Sequence, residues 1–273
     1  MKTSSLAVGD NLDGYSIVQR LAVHASESEV YICEKAARTY ILKYYINEHI
    51  DDTIAAILLN CTDKNVVRFI DFGYHKNRCF EVLAYMQDGS LGDTDTNGNY
   101  IYLPLDYNTL YAVIRQLNNA LHTIHSKNII HRDIKPENIL YAAIDNYVCI
   151  SDFGLSSILP DNAGLCAVPT RARTEGYAGP EIYSSTAGIK TDYYALGITI
   201  WRLATGLDPF VDENKEKIPH ETIQRLTTNG EVAPMLLKQG NSLNKALQQL
   251  ILHLLAVHYD ERWGYDEVCH FLR

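Results

Sequence analysis

Residues 131–138 read His-Arg-Asp-Ile-Lys-Pro-Glu-Asn, and Asp-Phe-Gly occupies residues 152–154, starting 14 residues after Asn138. The two segments supply carboxylates, an ammonium group and an amide. Carboxylate and amide oxygens are ligands that Mg²⁺ prefers, and an ammonium group can offset the charge of a phosphate. Each residue alone would more often be a solvated surface group. Their combination at this spacing predicts a site for phosphate chemistry.

A helix is predicted ahead of the first segment. Between residues 109 and 127, apolar side chains recur at the spacing of one helix face. The apolar pair Ile129-Ile130 then leads into residues 131–138. This arrangement predicts a helix that packs on the protein core and ends shortly before residues 131–138. The apolar positions are 110, 113, 114, 117, 120, 121 and 124.

A hairpin is predicted between the two segments. Residues 139–141 and 147–150 are strand-like, and the turn signal Asp145-Asn146 lies between them. The first strand follows Asn138 directly, and the second ends shortly before Asp152. We therefore expect the hairpin to present these two side chains from its two ends.

With these residues the chain resembles the eukaryotic-type protein kinase family, and Lys135, two residues after Asp133, is typical of the Ser/Thr branch. The resemblance implies that Asp133 accepts the proton of the substrate hydroxyl. It implies that Lys135 offsets charge at the γ-phosphate, and that Asn138 and Asp152 bind the metal. The expected cofactors are ATP and Mg²⁺, and the expected substrates are proteins that carry Ser or Thr hydroxyls.

Motifs after residue 154 are those of protein kinases rather than of small-molecule kinases. Gly179-Pro180-Glu181 resembles the family's Ala-Pro-Glu motif, and Arg262 matches the arginine that pairs with that glutamate. A buried Glu–Arg pair needs both partners, because either charge alone is costly. By the same resemblance, Asp192 anchors the catalytic loop from a buried helix, and Thr174 lines the substrate pocket.

The resemblance makes residues 152–181 an activation segment. In the family, an arginine at the position of Arg132 often pairs with a phosphate on this segment. Thr170, near Arg171 and Arg173, is the favoured site for autophosphorylation. The alternative is that the segment is ordered by its own packing, without phosphorylation. The candidate acceptors are Ser156, Ser157, Thr170 and Thr174.

The loop expected to cover the phosphates departs from the family pattern, because all three of its glycines are missing. Glycines allow the backbone to approach phosphates closely. By resemblance Val23 and Val30 still contact the nucleotide. Glu27 and Glu29 add negative charge nearby if they face inward, although an orientation toward solvent is commoner for an alternating strand. The glycine positions are taken by Val23, Ala25 and Ser28.

Tyr40-Ile41-Leu42-Lys43 takes the place of the family's Val-Ala-Ile-Lys motif. The resemblance implies that Lys43 is the third catalytic residue and reaches the α- and β-phosphates. Ile41 replaces a small alanine that touches the adenine, so we expect a tighter pocket. Extra methylenes in a packed site cost about 1–3 kcal/mol unless the surroundings shift.

In the family the lysine pairs with a glutamate on a helix. A helix predicted over residues 47–59 places Asp52 at that position, with Asp51 and Glu48 as alternatives. An aspartate is one methylene shorter than a glutamate, so the helix would have to come closer or a water would have to bridge the pair.

Residues 79–91 resemble the segment that binds the adenine edge. Leu83 occupies the gatekeeper position, and the backbone groups of Ala84 and Met86 would bond the adenine. Backbone groups suffice for this contact, so the side chains there are only weakly constrained.

The 273 residues and their 47% hydrophobic content suit one two-lobed catalytic domain. The predicted fold is α+β, the bilobal protein kinase fold: a small β-rich N-lobe with one main helix and a larger, mostly α-helical C-lobe. We expect a tail over residues 1–11 and the domain over 12–273, with the N-lobe at 12–85 and the C-lobe at 86–273.

The net charge of −9 argues against nucleic acid as a main partner. No apolar run approaches the roughly 18 residues of a membrane span, and the start lacks the apolar core of a signal peptide. The six cysteines show no paired or metal-binding spacing, which favours reduced thiols. We therefore expect a cytoplasmic protein, or one of the host cytosol if it is a secreted effector.

Two functions of different class are consistent with this sequence. The first is an active Ser/Thr kinase, because the chain keeps Lys43, Asp133, Asn138 and Asp152 and catalysis here depends mostly on positioning and charge. The second is a pseudokinase that recruits partners, favoured by the missing glycines, by Ile41 and by an aspartate as lysine partner, since fold alone does not decide function.

Overall fold

The computed structural model describes residues 5–21, 28–46, 50–169, 174–212, 216–240 and 243–273. The chain divides into two compact units, unit 1 (residues 1–87) and unit 2 (residues 88–273). This division lies two residues beyond the predicted lobe boundary between Tyr85 and Met86.

Unit 1 is built on a six-stranded antiparallel sheet with the order β1-β2-β3-β4-β6-β5. Two-residue turns join β3 to β4 and β5 to β6, so neighbouring strands in sequence pair directly. The strands are β1 (Asn11–Leu12), β2 (Tyr15–Arg20), β3 (Ser28–Lys35), β4 (Arg38–Tyr45), β5 (Phe69–His75) and β6 (Arg78–Ala84).

One face of this sheet forms an apolar core, because alternate side chains of a strand point to the same side. Leu6, ahead of β1, is buried in the same cluster, and its amide donates to the hydroxyl of Tyr31 at 3.1 Å. Part of the predicted tail over residues 1–11 therefore packs against the sheet of unit 1. The other members of the cluster are Leu12, Tyr15, Ile17, Tyr31, Cys33, Leu42, Tyr44, Phe80 and Val82.

Helix α1 (Asp52–Leu59) also belongs to unit 1 and packs on β5. It begins five residues later than predicted: the carboxylate of Asp51 accepts from the amides of Thr53 and Ile54 and so caps its first turn. Of the predicted helical residues ahead of it, 47–49 lie outside the described residues. Ile54, Ala55 and Leu58 form the buried face.

Unit 2 is mostly helical. Its first helix, α2, starts and ends two residues earlier than predicted, because Asp106 caps it by accepting from the amides of Asn108 and Thr109. The helices are α2 (Tyr107–His125), α3 (Ile189–Thr205), α4 (His220–Thr228), α5 (Val232–Gln239), α6 (Lys245–Leu254) and α7 (Tyr265–Phe271).

Helix α3 lies at the centre of unit 2 and contacts α2 and α6. Every residue from Thr191 to Leu203 is buried, as its nearly all-apolar sequence through Trp201 predicts. A polar side chain on this helix is therefore held in a fixed place in the interior.

The described residues of unit 2 also form three short two-stranded sheets. The predicted hairpin is present as β8 (Ile139–Ala142) and β9 (Tyr147–Ile150), with Asn146 in the left-handed conformation at the turn. The other strands are β7 (Ile129–Ile130), which pairs with β10 (Ser157–Ile158), and β11 (Cys166–Ala167), which pairs with β12 (Thr186–Ala187).

The predicted α+β class is confirmed: unit 1 is a β-rich unit with helix α1, and unit 2 is larger and mostly helical. Within the described ranges, no helix is long and apolar enough to cross a membrane.

Candidate active site

Residues 131–138 are held by Asp192 of α3, whose side chain is fully buried. Its Oδ1 accepts from the amide of Arg132 at 2.7 Å, and its Oδ2 accepts from the amide of His131 at 2.9 Å. The Nε2 atom of His125 lies 2.8 Å from Oδ2. The predicted anchoring of this loop by Asp192 is therefore confirmed.

One residue in each of the segments 131–138 and 152–154 lies in the left-handed backbone region, Arg132 at φ 69° and Asp152 at φ 64°. Such a conformation costs about 1–3 kcal/mol for a residue other than glycine and persists only where its surroundings hold it. Aspartate tolerates this region better than most residues, which fits the position of Asp152 in the second segment.

The carboxylate of Asp133 lies at the centre of a hydrogen-bonded cluster. Lys135 Nζ lies 2.8 Å from its Oδ2, and the Asn138 amide donates to the same oxygen at 2.7 Å. The hydroxyl of Thr174 donates to Oδ1 at 2.5 Å, and Lys135 Nζ lies 2.8 Å from that hydroxyl oxygen. These contacts fix the orientation of a side chain that is 8% exposed. The resemblance predicted that Thr174 lines the substrate pocket. Nothing in the sequence indicated its hydrogen bond to Asp133.

The hairpin joins the two segments. Its base is closed by the amide of Ser151, which donates to the backbone carbonyl of Asn138 at 2.9 Å. The ring of His131 packs on Phe153 with centroids 4.7 Å apart, and its Nε2 lies 3.0 Å from the carbonyl oxygen of Ser151. Burial lowers the pKa of His131, so the ring is neutral and acts as a packing group.

The donor set at the hairpin fits Mg²⁺. Asn138 uses its amide nitrogen to donate to Asp133, which leaves its Oδ1 as an acceptor. Asp152, half-buried at the other end of the hairpin, adds a carboxylate. In the described part of the chain no group of three or more His, Cys, Asp and Glu side chains could hold a metal ion. A metal here would therefore take further ligands from phosphate and water, which is usual for Mg²⁺.

The predicted Glu–Arg pair forms in unit 2. Arg262, 1% exposed, donates to Glu181 through two nitrogens at 2.7 and 2.9 Å. Two further N–H groups of Arg262 donate to the carbonyls of Lys190 and Ala256 at 2.8 and 3.1 Å. Thr191 adds a hydrogen bond to Glu181 at 2.7 Å. This bidentate geometry ties the end of the activation segment to the body of unit 2.

Arg132 contacts the described part of the activation segment. Its guanidinium donates to the carbonyl of Leu155 and to the hydroxyl of Ser157, each at 2.9 Å. Ser157 was among the predicted phosphate acceptors. The favoured acceptor, Thr170, lies outside the described residues together with residues 171–173.

In unit 1, Lys43 has a partner that the sequence did not suggest. Its Nζ lies 3.5 Å from Oε1 of Glu81. Among the three predicted partners, Asp51 caps α1, and Asp52 accepts from the hydroxyl of Tyr74 at 2.8 Å. Glu48 lies outside the described residues.

The register of the sheet collects the predicted adenine-side residues on one face. Ile41 lies directly opposite Leu83, and Lys43 lies opposite Val30. Opposed residues of an antiparallel pair share a face, so these four side chains lie together. Ala84 closes β6, and Met86 is half-buried just after it. The other predicted contact, Val23, lies outside the described residues.

Glu29 does not face solvent, so the orientation expected for an alternating strand is wrong for it. It is 4% exposed, and its two oxygens lie 2.9 Å from Arg20 and 2.9 Å from Arg78. Ser5 donates to the same carboxylate. Burial opposes ionisation of Glu29, but the hydrogen bonds from Ser5 and Arg78 hold the pKa of its carboxyl below the usual value.

The profile of the protein kinase domain family matches residues 15–271 of this chain. The Ser/Thr kinase STE20 of Eremothecium gossypii is 32% identical over 72% of this chain and 19% of that protein. The Aurora kinase of Saccharomyces cerevisiae is 30% identical over 87% of this chain and 60% of that protein. Human Ser/Thr kinase ULK1 is 30% identical over 78% of this chain and 20% of that protein. The chain thus spans less than two thirds of the length of these relatives.

A solved structure, the kinase PK-1 of the Cydia pomonella granulovirus, superposes with a TM-score of 0.76 over 95% of each chain. The sequences are 24% identical, so this comparison supports the fold. Together with the family match over residues 15–271 and the resemblance to kinases in the catalytic loop, it confirms the bilobal kinase fold expected from the sequence. The chain belongs to the protein kinase domain family.

Proposed function

We propose that this protein is a Ser/Thr protein kinase that transfers the γ-phosphoryl group of ATP to Ser or Thr hydroxyls of protein substrates. The cluster around Asp133 carries the proposal. Lys135 and Thr174 are the two residues typical of the Ser/Thr branch. Each contacts the Asp133 carboxylate, and they also contact each other, at distances of 2.5 to 2.8 Å. A substrate hydroxyl that displaced the Thr174 contact would meet an oriented base.

In this proposal Asp133 accepts the hydroxyl proton as the oxygen attacks phosphorus. Lys135, already beside that carboxylate, offsets negative charge on the transferred group. Bound Mg²⁺ would polarise the phosphate oxygens, and Asn138 and Asp152 would hold it. Since phosphoryl transfer depends on positioning and charge stabilisation, the fixed geometry of the loop is the main contribution of unit 2.

The nucleotide contacts proposed for unit 1 follow from the sheet face described above. Lys43 would bind the α- and β-phosphates, while Val30, Ile41 and Leu83 would contact the adenine. The backbone of Ala84 and Met86 would bond the adenine edge. Ile41 makes this surface bulkier than the family pattern, so we propose that bulky adenine analogues are excluded.

Two finer points belong to the same proposal. We propose autophosphorylation within residues 152–181, because Arg132 already contacts this segment at Ser157. We also propose that the protein works in a reducing compartment such as the cytoplasm, because its cysteines are free thiols and most are buried.

The test is transfer of radiolabelled phosphate from ATP–Mg²⁺ to the protein itself and to a generic basic protein. Asp133→Asn should lower the rate about 10²–10⁴-fold, the usual contribution of a positioned base. Asp145→Asn, which changes an exposed acid in the hairpin turn of the same unit, is the matched control and should keep full activity.

Each outcome separates the kinase from the pseudokinase. Label that disappears in Asp133→Asn alone supports the kinase. Equal label in both variants would point to a contaminating kinase and contradict the proposal. If the wild type transfers no label and ATP does not raise its melting temperature, the pseudokinase function replaces the one proposed here.

A further inference from the structure

We propose that Glu81, on the strand beside Lys43, is the acid that positions the Lys43 ammonium group for phosphate binding. This inference rests on the proposed function and adds a positioning residue to it. The residue lies in the sheet of unit 1 rather than on a helix.

The register of the sheet makes this pairing direct. Lys43 on β4 and Glu81 on β6 are opposed residues of the antiparallel ladder. The side chains of such a pair point to the same face with Cβ atoms about 4.5–5.5 Å apart. The two charged groups can therefore meet without any change in the backbone, and they do so at 3.5 Å.

Burial makes the pairing necessary. Glu81 is fully buried and Lys43 is 9% exposed, and a buried carboxylate requires a nearby cation. Among the described residues of unit 1, the buried charged side chains are Glu29, Lys43, Arg78 and Glu81. Arg78 binds Glu29 at 2.9 Å and also the carbonyls of Tyr44 and Tyr45. The interior charges of unit 1 thus pair as Arg78 with Glu29 and Lys43 with Glu81.

This arrangement has a consequence for regulation. In protein kinases the lysine is held by a helix glutamate, and placement of that helix controls activity. Here both partners belong to one sheet, so the Lys43–Glu81 contact does not depend on where α1 lies. Asp51 caps α1, and Asp52 accepts from the hydroxyl of Tyr74. In this proposal the sheet, rather than the placement of α1, orients Lys43.

Three variants and one control test the inference. Glu81→Gln removes the charge and keeps the shape, Glu81→Asp restores the charge on a shorter side chain, and Asp52→Asn tests the helix acid. Glu34→Gln, an exposed glutamate on β3, is the matched control. The measurements are kcat and KM for ATP, ATP affinity by calorimetry, and the melting temperature.

We expect Glu81→Gln to lower kcat/KM for ATP about tenfold, the size typical of a coupled pair. Glu81→Asp should recover part of this loss of kcat/KM. Asp52→Asn should lower kcat/KM less than Glu81→Gln does, and Glu34→Gln should have the kcat/KM of the wild type. In a Lys43→Met background, Glu81→Gln should cause no further loss of ATP affinity, because its effect acts through Lys43.

Other results would overturn the inference. One is a larger loss in Asp52→Asn than in Glu81→Gln. Another is a loss of ATP affinity from Glu81→Gln that is the same with and without Lys43, which would mean a structural role. If the wild type binds ATP but transfers no phosphate, the proposed function fails while the affinity measurements still decide the role of Glu81. A wild type that binds no ATP would overturn both.

Discussion

One buried ion pair in each unit, Arg262–Glu181 in unit 2 and Lys43–Glu81 in unit 1, is built differently from the other. In unit 2, Arg262 donates two hydrogen bonds of 2.7 and 2.9 Å to Glu181 and also donates to backbone carbonyls. In unit 1, Lys43 meets Glu81 at 3.5 Å. The guanidinium is planar and its fork matches a carboxylate, whereas the ammonium group is a point charge on a flexible stem.

The difference separates a structural pair from a functional one. A rigid bidentate pair locks two parts of the chain together, so its loss should appear mainly as lost stability. A looser ammonium pair orients a cation that must also bind a ligand, so its loss should appear mainly as lost activity. The predictions below test this division, beginning with the largest effect.

Arg262→Met should destabilise the protein by about 3–5 kcal/mol, because it leaves the largely buried Glu181 carboxylate without its cation. Denaturant unfolding measures the effect. Arg225→Met is the matched control, since the Arg225–Glu231 pair is about half exposed, and exposed pairs contribute about 0–1 kcal/mol. If the two variants lost similar amounts of unfolding free energy, the Arg262–Glu181 pair would not be the structural pair proposed here.

Thr174→Val should lower kcat/KM about tenfold and leave the melting temperature nearly unchanged. It removes a half-buried hydroxyl that contacts Asp133 and Lys135, and a hydrogen bond contributes about 0.5–1.5 kcal/mol. Thr174→Ser keeps the hydroxyl and should retain most of the activity. This result would sharpen the comparison by showing that unit 2 also holds contacts that serve chemistry. A full loss of activity in Thr174→Ser, or a large drop in melting temperature, would contradict it.

His131 should make stability depend on pH. Burial lowers its pKa in the folded state, so below about pH 6.5 the unfolded chain binds a proton that the folded chain does not, and stability falls as the pH falls. His131→Gln removes the titrating ring and should flatten the stability profile between pH 7 and pH 6. Denaturant unfolding at the two pH values measures this, and equal slopes in the wild type and in His131→Gln would refute the assignment.

Much of unit 2 could be predicted from the sequence, because its site is local. Asp133, Lys135 and Asn138 lie within one short segment, and the hairpin that follows has a clear turn between two apolar strands. Even the long-range contacts of Asp192 and of Glu181 with Arg262 could be anticipated, since each residue lies in a recognisable motif. The ends of α2 were displaced by two residues because the cap at Asp106 decides where the helix begins.

Unit 1 was harder to predict, because its charged side chains have partners on other strands. A glutamate on a strand gives no sign of whether it faces solvent or core. Glu29 was expected to face solvent, but it is buried and paired with two arginines. No role was predicted for Glu81. Counting back along the predicted helix led to Asp52 as the partner of Lys43, with Asp51 and Glu48 as alternatives. In the structure Asp52 accepts from the hydroxyl of Tyr74, and Asp51 caps the helix.

The sequence by itself determined the family, the α+β class and the groups available for chemistry, because these depend on residue type and on spacing along the chain. The tertiary structure alone decided which acid lies beside Lys43 and that Thr174 bonds Asp133. Those contacts depend on strand register and on the folding of distant segments onto one another. Register is set by the fit of whole sheet faces, a property that no single motif encodes.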